Sequence, residues 1–66
     1  MFLAFVTHDV NNNTLEAVWM DSVLDADGNL IKYENVKNRN YSPDQKSEFI
    51  ADCGDGSDKY TTMAGW

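Results

Sequence analysis

Two apolar-rich runs joined by an acidic, glycine-containing turn form the clearest pattern along this chain. The runs span residues 14–20 and 30–37 and carry the β-branched and aromatic residues typical of strands. Between them Gly28 is free to adopt a positive φ, and the neighbouring aspartates and asparagine tolerate turn geometry. The pattern predicts a β-hairpin on which the rest of the chain packs.

A further strand is predicted before the hairpin and a connector after it. Residues 2–10 alternate incompletely, and apolar residues of both parities up to Val6 indicate a strand that is central or covered on both faces. The asparagine triplet 11–13 predicts a tight turn into the second strand. Asp21 interrupts that strand and indicates a bulge nearby, while residues 38–41 are predicted to form a connector.

A helix start signal follows the connector. Ser42 occupies an N-cap position, Pro43 the first helical position and Gln45 the third, which is a capping box with a well-placed proline. Gly54 is predicted to end this helix. The apolar face of the helix combines residues at helical spacing, namely Lys46, Phe49, Ile50 and Cys53.

A second, short helix is predicted over residues 58–64, capped by Ser57 and burying Tyr60 and Met63. The chain 1–66 is therefore predicted to be a single small α+β domain, a three-stranded antiparallel β-meander with one α-helix packed on a face and a short C-terminal helix. The aromatic residues assigned to the core are Phe5, Trp19, Tyr33, Phe49 and Tyr60. Apolar residues of both parities in the first two strands leave the sheet incompletely covered, which favours a partner protein or a dimer.

Size and charge limit the classes of function. Sixty-six residues lie near the lower limit for independent folding, and the single cysteine excludes an intramolecular disulfide. A net charge of −6 provides no electrostatic footprint for direct binding to nucleic acid. No apolar run approaches the length of a membrane span, and the first residues carry no basic leader, so the cytoplasm is the predicted location.

Two acidic groupings admit an interpretation as cation sites. A calcium loop with Gly28 at its sixth position would place Val23 at the first, where no ligand atom is available, so an acidic hairpin turn is the better interpretation. Asp52, Asp55 and Asp58 surround two glycines and suit a weak divalent cation. Helix-end electrostatics account for them better, and weak cation binding stays a minor alternative.

His8 and Cys53 are the only residues of their types. A nucleophilic Cys–His pair needs both groups exposed, adjacent and oriented by a third group, whereas Cys53 falls on the apolar face of the helix. One histidine and one cysteine also make no zinc site. No catalytic residue, metal ligand set or cofactor is predicted, and a non-enzymatic protein is expected.

The outer side of the helix carries an acidic row formed by Asp44, Glu48 and Asp52 at intervals of four residues. Like charges at this spacing cost helix stability, so the acidic row either serves a basic partner or only keeps the protein in solution. Trp66, at the end of the sequence, is predicted to be either a lid folded onto the core or an exposed anchor.

These features predict an accessory or inhibitory protein-binding domain with two alternative mechanisms. In the first, acidic residues dock on a basic, nucleic-acid-binding protein in a salt-dependent manner. In the second, the apolar sheet and the terminal tryptophan form a hydrophobic interface of a homodimer or larger assembly. Very small, acidic, cysteine-poor chains are common among phage and prophage accessory factors, an association that favours the same role. The residues assigned to partner binding are Asp44, Glu48, Asp52, Asp21, Asp25, Asp27 and Trp66.

Overall fold

Three strands and two helices build the protein, whose residues 1–66 are all described by a computed structural model. The elements are β1 (Phe2–Asp9), β2 (Thr14–Leu24), β3 (Leu30–Tyr41), a 3₁₀ turn (Pro43–Gln45), α1 (Lys46–Cys53) and α2 (Asp58–Met63). The strands form one antiparallel sheet in the order β1-β2-β3. The predicted α+β architecture is confirmed, including the hairpin and both helices.

The β2–β3 hairpin closes as its turn residues indicate. Asp25 Oδ1 accepts hydrogen bonds from the backbone N–H groups of Asp27 and Asn29, both at 2.9 Å. Gly28 adopts a φ of 84°, where a side chain would be strained. The acidic turn thus uses the carboxylate of Asp25 to hold its own backbone.

The β1–β2 turn is organised by Asp9. Its Oδ1 accepts from the backbone N–H groups of Asn11 at 3.0 Å and Asn12 at 3.2 Å, and its Oδ2 accepts from Asn12 Nδ2 at 2.8 Å. The Asn12 side chain, followed by the Asn12 backbone N–H, holds the pKa of the Asp9 carboxyl below its usual value. Asn13 completes the turn with a φ of 51°.

Replacing Asn12 with alanine should raise the pKa of Asp9, because the side-chain donor is the largest cause of its depression. A depressed folded-state pKa contributes stability that is present above the unfolded pKa and lost as the pH falls through the folded value. NMR titration of the carboxyl carbons measures this shift. Asn11→Ala is the control, because Asn11 contributes only its backbone N–H; equal Asp9 pKa values in both variants and the wild type would contradict the assignment.

Residues 38–41 form the end of β3 rather than the predicted connector. They pair with the start of β2, with Asn38 opposite Val18 and Tyr41 opposite Leu15. The error arises because three of the four residues are polar, which is typical of loops, whereas an edge strand tolerates them. Tyr41 is fully buried as a result.

Bulges on both outer strands shift which residues share a face. Ala4 on β1 and both Ile31 and Val36 on β3 are the extra residues. Ala4 and Val36 lie near the middle of β2, and Ile31 lies near the β2–β3 turn. A bulge therefore occurs close to the predicted position at Asp21, but β2 itself runs without interruption. The bulge at Ala4 places Leu3 and Val6 on the same face, although strict alternation assigned them to opposite faces.

The core lies between one face of the sheet and the helices. Its buried apolar members are Leu15, Ala17, Trp19, Tyr41 and Phe49. The Phe49 ring lies edge-on to three aromatic rings, with centroids at 5.2 Å for Tyr41 and 6.4 Å for both Tyr60 and Trp66. Phe49 is therefore the one buried side chain of α1. It packs among Tyr41, Tyr60 and Trp66, which we call the aromatic cage.

Three of the predicted core assignments are wrong. Phe5 is 44% exposed, Tyr33 55% and Met63 81%. Phe5 and Tyr33 lie on the side of the sheet away from the helices, and α2 buries Thr61 against the fold where Met63 was expected. Because the helices cover only one face, an aromatic residue in a strand can still face outward.

Trp66 folds back onto the core. Its Nε1 donates to Asn13 Oδ1 at 3.1 Å, and its ring packs partly buried against Phe49. The tryptophan therefore links the end of the chain to the β1–β2 turn. Of the two predicted roles of Trp66, the structure shows the first, a lid folded onto the core.

Candidate protein-binding surface

The face of the sheet opposite the helices is uncovered and carries a cluster of exposed apolar side chains. Residues that pair directly across strands project from the same face, so the register assigns its members. We call this surface the open face. Its apolar residues are Phe2, Phe5, Val18, Met20, Leu24, Leu30 and Tyr33, and its polar residues are Thr7, Asp9, Thr14, Glu16, Ser22, Asn35, Asn38 and Asn40.

Aromatic rings form the centre of the open face. The rings of Phe2 and Tyr33 lie edge to face, with centroids 5.7 Å apart, so they span the sheet from β1 to β3. Val18, beside Phe5, is only 4% exposed, whereas Phe2 and Phe5 are 42% and 44% exposed. The three-stranded part of this face measures roughly 25 Å by 14 Å, or about 350 Å². Exposed clusters of apolar side chains within such a face mark interaction sites on many proteins.

Charge is distributed unequally between the two faces. Every basic residue of the sheet projects toward the helix side: Lys32 opposite Val23, Lys37 opposite Trp19 and Arg39 opposite Ala17. One carboxylate of the open face belongs to Glu16, and its Oε2 accepts from Asn38 Nδ2 at 3.0 Å. The open face therefore has no cation to attract an acidic partner, and its negative charge is confined to Glu16 and Asp9.

The acidic row of α1 is not the free surface that its spacing predicts. The Arg39 guanidinium donates to Glu48 Oε2 at 2.5 Å and to Asp52 Oδ2 at 2.9 Å. Asp52 Oδ2 also accepts from the Tyr41 hydroxyl at 2.7 Å. Two of the three carboxylates are thus paired within the chain, and Asp44 remains. Arg39 reaches both carboxylates because β3 extends far enough to place it beside the helix.

This cluster also changes the protonation of its members. Burial, followed by the hydrogen bond to Asp52, raises the pKa of Tyr41 far above its usual value. The hydrogen bond to Glu48 is the main cause of a raised pKa for Arg39. Arg39 also lies over the Tyr41 ring, with its central carbon 4.7 Å from the centroid. These contacts hold α1 against the end of β3, and no further reactive group takes part in them.

Replacing Arg39 with glutamine should lower the melting temperature, because two carboxylates four residues apart lose the cation between them. The difference from wild type should shrink at high salt, which screens their repulsion. Thermal unfolding at two salt concentrations tests this. Lys32→Gln is the matched control, because Lys32 makes one exposed ion pair, to Glu34 at 3.5 Å; equal effects of both changes would contradict the assignment.

The remaining acidic residues do not join the row on α1. Asp21 Oδ1 pairs with the amino group of Met1 at 2.8 Å. Asp25 and Asp27 lie at the β2–β3 turn, and the length of β3 separates this turn from Pro43, where the helical segment begins, by on the order of 35 Å. The structure therefore disperses the predicted acidic surface over distant parts of the chain.

Neither a metal site nor a nucleophilic pair emerges from the polar residues. No three side chains among histidine, cysteine, aspartate and glutamate converge to hold a metal ion. His8 Nε2 lies 3.4 Å from Asn13 Oδ1. Cys53 instead lines a shallow cleft of about 140 Å³ with Leu3, Lys59 and Tyr60 among its walls, and burial raises the pKa of its thiol. The protonated thiol is a poor nucleophile, in agreement with a role in packing.

Two findings complete the description of the surface. No helix has the length and apolar character needed to cross a membrane. Comparison with known proteins finds no matching family model, no matching curated protein and no matching solved structure.

Proposed function

We propose that this protein is a non-catalytic interaction domain that binds another protein chain through its open face. The exposed aromatic centre, Phe2, Phe5 and Tyr33, on a face without cations is the observation that supports it. Aromatic residues contribute most of the binding energy in many interfaces. The lone thiol of Cys53 favours the cytoplasm as the compartment.

The area of the open face supports a moderate affinity. Covering about 350 to 480 Å² of this face, roughly half of it apolar, together with a similar area of the partner contributes about 10 kcal/mol before opposing terms. The loss of translational and rotational freedom opposes association by roughly 4–15 kcal/mol. The largest favourable difference, about 6 kcal/mol, corresponds to a reversible complex with a Kd of roughly tens of micromolar, which suits an accessory or inhibitory factor.

Docking of acidic residues on a basic, nucleic-acid-binding protein is the weaker proposal. Its main residues were those of the acidic row, and Arg39 already pairs with Glu48 and Asp52. Asp44 and Asp27 stay available, but they belong to distant elements. A partner held by such scattered charges would dissociate readily as salt is raised.

Affinity capture from the source cell, after nuclease treatment, tests the proposal at about 50 and about 300 mM salt. The wild type should retain its protein partner at the higher salt, and Phe5→Glu should lose it. Met63→Glu is the matched control, because Met63 is 81% exposed but lies on α2. Circular dichroism verifies that both variants are folded.

The opposite pattern would overturn the proposal. Acidic docking would be shown by a partner that is lost at about 300 mM salt, where the attraction between exposed charges is strongly screened. Such a partner would bind the Phe5→Glu variant as well as the wild type and would not bind the Asp44→Lys variant. A partner lost equally with Phe5→Glu and Met63→Glu would show that the open face has no special part.

A further inference from the structure

We propose that the chain which covers the open face is a second copy of this protein, related by a two-fold axis. The two sheets would stack face to face with the helices outermost on both sides. This inference rests on the proposed use of the open face and names its occupant. It is supported by the chemistry of the face, by the distribution of charge and by the available area.

The open face is complementary to itself. A two-fold interface brings the same patch of both copies together, so unpaired charge of one sign at its centre would oppose assembly. The apolar centre around Phe2 and Met20 has no lysine or arginine, and the two carboxylates of the face, Asp9 and Glu16, lie away from it toward the β1–β2 turn. Asn35 and Asn40 carry amides, which both donate and accept and can therefore pair with their own symmetry mates. A row of cations or carboxylates in their place would require a different partner.

Most of the acidic residues lie away from this interface, since only Asp9 and Glu16 belong to the open face. Five of the eleven acidic residues belong to the segment that forms the helical layer: Asp44, Glu48, Asp52, Asp55 and Asp58. Stacked sheets lie about 10 Å apart, and the helical layers would be further apart than the Debye length of about 8 Å at physiological salt. Repulsion between the helical layers of two copies would therefore be largely screened.

The open face is longer than the three-stranded part of the sheet. Phe2 pairs with Met20, so β2 and β3 continue beyond it as a two-stranded arm that carries Leu24, Leu30 and Tyr33. Including the arm, the open face reaches roughly 480 Å² per copy, or about 1,000 Å² for two copies. This total is just below the roughly 1,200–2,000 Å² of standard interfaces. A dimer in reversible, micromolar equilibrium with the monomer is the expected state.

Few residues are buried within one copy, so self-association would add to the stability of the folded chain. Only 8 of 66 residues are buried. A partner that binds only the folded chain stabilises it by mass action, so a dimer would make the melting temperature rise with protein concentration. The same dependence gives a readout independent of any variant.

Sedimentation equilibrium from about 5 µM to about 1 mM tests the inference. The wild-type mass should rise from 7.5 kDa toward twice that value, and the melting temperature should rise with it. Phe5→Glu and Tyr33→Glu should each weaken the dimer at least tenfold, and Met63→Glu should leave it unchanged. In a mixed sample of labelled and unlabelled wild-type chains, isotope-filtered NMR should show contacts between the Met20 methyl of one copy and aromatic rings of the other.

Each contrary outcome is decisive. A wild type that stays at 7.5 kDa up to about 1 mM overturns the second copy as occupant. The capture experiment then decides separately whether the open face binds a different protein. A dimer that both open-face variants preserve, or whose intermolecular contacts come only from α1 and α2, would place the interface elsewhere and overturn the inference as well. If a variant is unfolded, the labelled wild-type sample alone gives the answer.

Discussion

Replacing Phe49 with alanine should leave the chain unfolded at 25 °C. Phe49 is the one fully buried apolar residue of α1, and its ring contacts the aromatic rings of Tyr41, Tyr60 and Trp66. A buried Phe→Ala change costs roughly 3–5 kcal/mol. A domain of this length has a free energy of unfolding of roughly 3–10 kcal/mol, so the loss removes much or all of it. Far-UV circular dichroism and urea denaturation measure the outcome.

Two controls make the Phe49 result specific. Met63→Ala removes an apolar side chain that is 81% exposed, so its free energy of unfolding should stay within about 0.5 kcal/mol of wild type. Phe49→Leu keeps most of the volume and should have an intermediate stability. A Phe49→Ala variant that unfolds at the wild-type urea concentration would show that α1 does not depend on the aromatic cage.

Replacing Tyr41 with alanine should be comparably severe, although its sequence neighbours resemble a loop. The side chain is fully buried between β2 and α1, and its hydroxyl donates to Asp52 at 2.7 Å. The loss of the ring costs roughly 3–5 kcal/mol, as for phenylalanine. The Arg39 guanidinium would also lose the ring over which it lies. Urea denaturation gives the change in the free energy of unfolding.

Tyr41→Phe separates the hydroxyl from the ring. It should cost about 1 kcal/mol, because Asp52 loses one donor but keeps its ion pair with Arg39. The raised folded-state pKa of Tyr41 stabilises the fold below the unfolded tyrosine pKa of about 10, and this contribution is lost as the pH rises toward the folded value. The difference between wild type and Tyr41→Phe should therefore shrink above about pH 10. A Tyr41→Ala variant as stable as Tyr41→Phe would contradict a core role for the ring.

Interactions within a few residues were sufficient to predict most elements of the fold. Side-chain capping and positive-φ positions act within a few residues, so Asp25 and Gly28 at the hairpin, and Ser42 and Pro43 at the helix start, indicate their elements directly. In the structure the Ser42 backbone N–H donates to Gln45 Oε1 at 3.0 Å, as a capping box requires.

The candidate surface depended on contacts that join distant parts of the chain. Spacing along α1 places Glu48 and Asp52 on one side, but it contains no information on Arg39, which reaches them only because β3 runs on to Tyr41. A polar run at the end of an edge strand looks like a loop in the sequence. Only its pairing with β2 shows that it is a strand.

The sequence by itself determined the order of the elements, the turns and the excess of acidic residues, because these follow from composition and from interactions within a few residues. It also indicated that the sheet has more apolar residues than one layer of helices covers. The tertiary structure decided which face stays open. Bulges at Ala4 and Val36 change the alternation on the outer strands, and the helices cover the face that holds Trp19. Phe5 and Tyr33 are exposed for that reason, since facing is set by pairing between strands and not by residue type.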